Sequence, residues 1–179
     1  MRKFAGALIA VAMVVPVGLI AAGPAGGATT GVTCTTLGGT VKWVVPVPKA
    51  PATIKQVWNL NATFAGCSGT TGITSGVVKL PTYTGATKTT NCTSIVSKPT
   101  NFNVKAGGTI VWNNKSKSTL GPVVLKPAGL ATYAASGKVA SGQFAGKSLA
   151  VTGTFIPTTG CPFNTAKLSV KKGTKITIK

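Results

Sequence analysis

Cysteine, lysine, serine, threonine and tyrosine are the side chains in this sequence that could take part in covalent or proton-transfer chemistry, because its 179 residues include no Asp, no Glu and no His. General acid–base catalysis moves a proton through a positioned imidazole or carboxyl group, and that route is closed here. Oxygen-rich Ca²⁺ or Mg²⁺ sites need carboxylates, and zinc would have to rely on cysteine thiolates alone. What remains to an enzyme is a serine nucleophile activated by a neutral lysine, which requires the two buried side by side. Composition therefore points to a non-enzymatic protein with no catalytic residue, no metal and no cofactor.

The four cysteines, Cys34, Cys67, Cys92 and Cys161, take their meaning from the compartment. Arg2 and Lys3 precede an apolar run from Phe4 to Ala22, and small residues follow through Ala28. This is the form of a secretory signal peptide, with cleavage expected after Ala28. An uncleaved membrane anchor is the alternative for a run of this length. Gly31, Val32 and Thr33 stand where a lipoprotein box would need Leu and small residues, so no lipid is expected on Cys34. The remainder, 29–179, suffices for one domain with its own core and carries no further candidate transmembrane segment.

In an exported chain, four cysteines read as two disulfides. Three connectivities are open, and the strands around the Pro-rich segment Pro46–Pro51 favour one. With Val45 facing Ala52 across that turn, pairing outward along the hairpin brings the approach to Cys34 beside the exit at Cys67. Cys92–Cys161 follows by remainder.

Those strands are read from alternation. Ile54, Trp58, Leu60, Ala62 and Phe64 share one phase of a two-residue period, and Lys55, Asn59, Asn61 and Thr63 share the other. Such a pattern marks a half-buried β-strand, with Gln56 the one polar residue on its apolar phase. Thr40–Val45, the segment around Val78 and Leu80, Thr109–Asn113, Thr119–Leu125, and the stretches ending in Phe155, Val170 and Ile178 repeat it more briefly. Pro122 should mark an edge or a bulge. Pro81–Thr90 reads as a Thr-rich loop, and Gly and Pro break every helical window after the leader. The expected fold is an all-β, single-domain β-sandwich of about eight to ten short antiparallel strands, with a closed β-barrel as the alternative.

Lys42, Lys55, Lys79, Lys167, Lys171, Lys175 and Lys179 all fall on the outward phase of these strands. An ordinary domain mixes both signs of charge over about 25% of its residues, whereas this chain has a formal net charge of +19. A lysine shell keeps strand edges apart and attracts polyanions. Nucleic acid is disfavoured, because the chain beyond the leader has no arginine for bidentate contacts and places its aromatics inward. Anionic envelope polymers or lipid headgroups are the expected partners, through those seven lysines.

Two further motifs dissolve on inspection. Gly142, Gly146, Lys147 and Ser148 fall one residue short of a phosphate-binding loop, and Leu80–Gly85 is one residue too long for a sortase signal. Trp43, Trp58 and Trp112 sit on inward phases, where core packing outweighs a ligand platform.

With the leader, the four cysteines, the turn-rich Cys67–Gly76 and Ser141–Gly146 in view, the chain resembles a group of small secreted actinobacterial proteins of uncharacterised role. The resemblance implies a secreted β-protein and supplies no active site. The expectation is thus a secreted, non-enzymatic β-domain at or outside the cell envelope. A barrel-type carrier of an apolar small molecule is the alternative, favoured if inward positions lack large side chains. A cationic antimicrobial or purely structural surface protein is the second.

Overall fold

The computed structural model describes residues 30–97, 102–104, 107–170 and 174–179. The expected leader at 1–28 and Lys171 lie outside these residues. The elements in chain order are β1 (Val32–Val47), β2 (Ala52–Ser68), β3 (Ser75–Lys79), β4 (Tyr83–Thr90), α1 (Cys92–Ser97), β5 (Phe102–Val104), β6 (Thr109–Trp112), β7 (Lys117–Gly129), β8 (Thr132–Gly142), β9 (Ser148–Pro157), β10 (Phe163–Val170) and β11 (Ile176–Ile178).

The expected all-β antiparallel domain is what the structure has, with its strands in a single 11-stranded sheet rather than the two sheets of a sandwich. Its pairing returns to its starting point: β1 bonds to β2, β2 to β3, β3 to β6, then β7, β8, β9 and β10 in turn, and β10 bonds back to β1. β11 bridges the first residues of β1 to β9, while β4 and β5 pair with β2 and β7 outside the circuit. Alternation along β2 places Gln56, Trp58, Ala62 and Phe64 in the interior and Lys55, Asn61 and Thr63 in solvent. Because the side-chain period is two, a slip of one residue would invert that set, so the apolar row itself fixes the register.

Both expected disulfides are formed, Cys34–Cys67 and Cys92–Cys161. The hairpin register differs from the expected one: Trp43 faces Trp58, and Cys34 lies directly opposite Cys67. Beyond Trp43, β1 turns to β10, where Val47 meets Phe163, and the first residues of β2 pair with β4. The segment read as a Thr-rich loop is therefore largely strand β4, since threonine suits a half-exposed edge and its partner residues on β2 leave backbone groups to satisfy. Register shifts flank Leu120 and Val123, where Gly121 and Pro122 interrupt β7 as a bulge would.

A six-residue helix, α1, also forms where none was expected. Asn91 Oδ1 accepts from the Ser94 N–H at 2.7 Å, and Ser94 Oγ accepts from the Asn91 N–H at 2.9 Å. This reciprocal cap offsets poor intrinsic propensity over one short turn. Cys92 ties the helix to Cys161 in the β9–β10 connection, and Ile95 is buried.

The ring interior is unevenly filled. Val32, Cys34, Ile73, Ile110, Trp112, Val139, Phe144, Ile176 and Ile178 are almost completely buried. They belong to the end that carries the β2–β3, β6–β7 and β8–β9 connections, where Trp112 packs edge-on against Phe144 with centroids 5.4 Å apart. The opposite end, covered in part by α1, is packed less fully.

Candidate ligand cavity

The polar candidates can be placed first. Lys42, Lys55, Lys79, Lys167, Lys175 and Lys179 are all exposed, as their outward phase requires. Four of them stand on strands consecutive around the ring, Lys167 on β10, Lys42 on β1, Lys55 on β2 and Lys79 on β3. One in-register row runs Lys167, Thr40, Asn61, Lys79 across all four strands. Lys175 and Lys179 flank β11 and are not part of this band. Lys147, in the β8–β9 connection, is half-buried, and the other described lysines are exposed.

The interior of the less-filled end holds a cavity of about 110 Å³. Its wall comes from opposite sides of the ring: Leu37, Val41 and Trp43 on β1, Trp58, Leu60 and Phe64 on β2, Leu125 on β7, Tyr133 on β8, and Val151 and Phe155 on β9, with Ile95 of α1 among the lining residues. Space remains because several inward positions carry almost no side chain. Ala62, Ala135 and Gly153 all line the cavity. Tyr133 faces Gly153 and Ala135 faces Val151 in the β8–β9 register; Ala135 stands where Leu or Phe would close the gap, whereas a Cβ at Gly153 would already meet the Leu37 side chain at 3.1 Å.

Aromatic rings stiffen this wall. Trp43 meets Phe163 edge-on at 5.4 Å and Phe155 at 6.2 Å, and Tyr133 packs on Phe155 at 5.3 Å. Trp58 stacks on Tyr83 at 4.9 Å. Burial pushes the Tyr133 phenol well above its ordinary range, and desolvation raises Tyr83 in the same direction. Both phenols stay neutral near neutrality, so the wall carries no charge there.

Among the described residues, two buried side-chain polar atoms lack a protein partner: Nε1 of Trp43, a residue that lines the cavity, and Oε1 of Gln56, a residue that does not. At the filled end the equivalent need is met, since Trp112 Nε1 donates to Ser118 Oγ at 2.9 Å. Sequence reasoning placed all three tryptophans in the core. The structure puts Trp112 in packed core, and Trp43 and Trp58 in the wall of a void. The signals that could have found the void were the small inward residues Ala62 and Ala135.

The chain matches no known protein family, no curated protein and no solved structure. Among the described residues, no helix is long and apolar enough to cross a membrane. Chemically, the arrangement is suited to holding an uncharged apolar molecule within a wall of aliphatic and aromatic side chains.

Proposed function

We propose that this protein is a secreted, non-enzymatic, barrel-type carrier that holds a small apolar molecule inside its strand ring. The observation that supports the reading is the cavity of about 110 Å³ walled by Trp43, Trp58, Phe64, Leu125 and Phe155, with the small Ala62 and Ala135 also on its lining. An engineered apolar cavity of about 150 Å³ stays dry and takes benzene, so a ligand of about one ring or a short branched chain matches the volume. Burying apolar area contributes about 25 cal/mol per Å², which favours such a ligand over leaving the void empty. The two disulfides, together with the expected leader, support a location at or outside the cell envelope.

A saturating series of toluene concentrations tests this. A ligand at about 100 times its Kd stabilises the fold by about 2.7 kcal/mol, which for a chain of this size raises Tm by roughly 5–10 °C. Absence of any saturable shift with toluene or with short branched alkanes overturns the proposal.

A second reading concerns the outer face and rests on the exposed Lys167, Lys42, Lys55 and Lys79, one on each of the consecutive strands β10, β1, β2 and β3. It assigns the carrier a docking preference for anionic envelope polymers or lipid headgroups. Retention on anionic vesicles should fall steeply between low and physiological salt. Equal retention on neutral vesicles overturns it.

A further inference from the structure

We infer that the β7–β8 hairpin tip and the adjoining end of β9 form a membrane-docking edge, at which Leu130 and Ile156 enter the interfacial layer of an anionic bilayer while Lys126 and Lys167 meet its headgroups. The inference rests on the anionic-surface reading and adds which edge touches lipid, and with which apolar side chains.

Single exposed apolar side chains are ordinary on a soluble surface, but here they are not scattered. Leu130, Val44 and Ile156 are the three most exposed large apolar residues among those described, at 71%, 62% and 60%. All three stand at the end of the ring away from the β2–β3, β6–β7 and β8–β9 connections, Leu130 in the β7–β8 turn, Ile156 one residue before the end of β9 and Val44 near the end of β1. Thr132 faces Thr154 across β8 and β9, and Ala131 carries the pairing one step further, its carbonyl accepting from the Phe155 N–H at 2.9 Å. Leu130 and Ile156 are the next residues on the two segments, which brings them to one edge. The tip itself, Pro127, Ala128, Gly129 and Leu130, is exposed throughout and has no polar side chain. Apolar surface concentrated in this way marks a contact site.

Charge decides what covers it. Lys126 lies four residues before Leu130, Lys167 faces Ile156 across β9 and β10, and Lys42 lies two residues before Val44; all three lysines are exposed. With no Asp or Glu anywhere in the chain, a second copy would set lysine against lysine, whereas anionic headgroups complement these side chains and their long apolar stems follow the neighbouring residues toward lipid. Apolar side chains flanked by lysine are suited to a membrane interface, with the apolar part at the acyl boundary and the ammonium groups among the headgroups. Trp43 and Phe155 line the cavity and immediately precede Val44 and Ile156, so a molecule docked on this edge turns its cavity end to the bilayer.

Co-sedimentation of the protein with mixed phosphatidylglycerol–phosphatidylcholine vesicles, beside vesicles of phosphatidylcholine alone, tests this at low and physiological salt. Leu130→Ser combined with Ile156→Thr should weaken partitioning into the anionic vesicles about tenfold or more at both salt concentrations. Val77→Thr combined with Val111→Thr, which alters the exposed cross-strand pair on β3 and β6, should leave partitioning within about twofold. Lys126→Gln combined with Lys167→Gln should instead flatten its salt dependence. Should the paired substitution at 130 and 156 fail to fold, Leu130→Ser alone, in an exposed turn, carries the same decision. Salt-sensitive binding that Leu130→Ser and Ile156→Thr leave unchanged overturns the inference and leaves the anionic-surface reading standing. Retention on neither kind of vesicle overturns both, and a dimer in sedimentation velocity that the substitutions at 130 and 156 dissolve overturns the inference in favour of a second copy.

Discussion

Ala135→Leu is the perturbation that most directly interrogates the void. Ala135 lies on β8 opposite Leu125 of β7 and Val151 of β9, and it lines the cavity. At about 24 cal/mol per Å³, an unfilled volume of about 110 Å³ corresponds to roughly 2.6 kcal/mol of forgone packing. Leucine adds three carbons, which at about 0.8 kcal/mol per buried methylene could return roughly 2.4 kcal/mol. Imperfect fit in a formed core costs about 1 kcal/mol or more. The net expectation is a gain of about 1–1.5 kcal/mol, or a Tm rise of roughly 2–6 °C for a chain of this length. Toluene affinity should fall at least tenfold, because the new side chain occupies the same space. Ala134→Leu, one residue away on the opposite phase, serves as the control and should leave toluene binding unchanged. Differential scanning calorimetry with and without toluene reads both quantities. A folded Ala135→Leu protein that binds toluene as tightly as the parent would refute the placement of the site, and a Tm loss worth more than about 1 kcal/mol would refute the empty space beside Ala135.

Three more expectations follow from composition and burial. With no Asp, Glu or His in the chain, the usual causes of acid unfolding are missing, so thermal melts at fixed ionic strength should be flat from about pH 4.5 to 7; a drop of more than a few degrees at the acid end contradicts this. Tyr133 and Tyr83 are raised by desolvation, so the unfolded chain releases these protons first as pH climbs past about 10. The stability they contribute is complete below that value and is lost as pH rises toward the folded one, and absorbance titration should show at least Tyr133 ionising late in the native protein and normally in denaturant. Intact mass after alkylation without reduction should show no modified cysteine, and a proteolytic fragment joining Cys67 to Cys92 would contradict the observed pairing of Cys34 with Cys67 and Cys92 with Cys161.

What the sequence revealed, and what it concealed, divides by side-chain size. Strand β2 was legible because Trp58, Leu60 and Phe64 alternate with Asn59, Asn61 and Thr63, and burial reads that contrast directly. The disulfide partners were legible because antiparallel geometry links positions far apart in the chain. Strand β8, with Ala134, Ala135, Ser136, Gly137 and Lys138 at its centre, offered no such contrast, since small side chains on either face resemble a loop. The same poverty of side chain makes the cavity, so the segment hardest to assign is one that shapes the candidate site. Helix α1 was hidden for a different reason, since a local cap at Asn91 and a distant cysteine outweigh propensity there. Gln56 was visible as an exception on an apolar row, and only the folded structure shows that it is buried with a side-chain carbonyl that finds no protein donor.

The circuit of pairings also orders events in time. Strand β1, near the start of the described chain, takes partners from β10 and β11, near its end: Val41 bonds across to Ala166, and Val32 to Ile178. A polypeptide emerging in sequence can form the β1–β2 hairpin early, yet one edge of β1 stays unpaired until the final strands arrive. Contacts of such long separation are slow to form, and an open edge is an invitation to pair with another chain. Lysines at 42, 167, 175 and 179 border this seam, so neighbouring unfinished copies repel one another while each waits for its own last strand to close the ring.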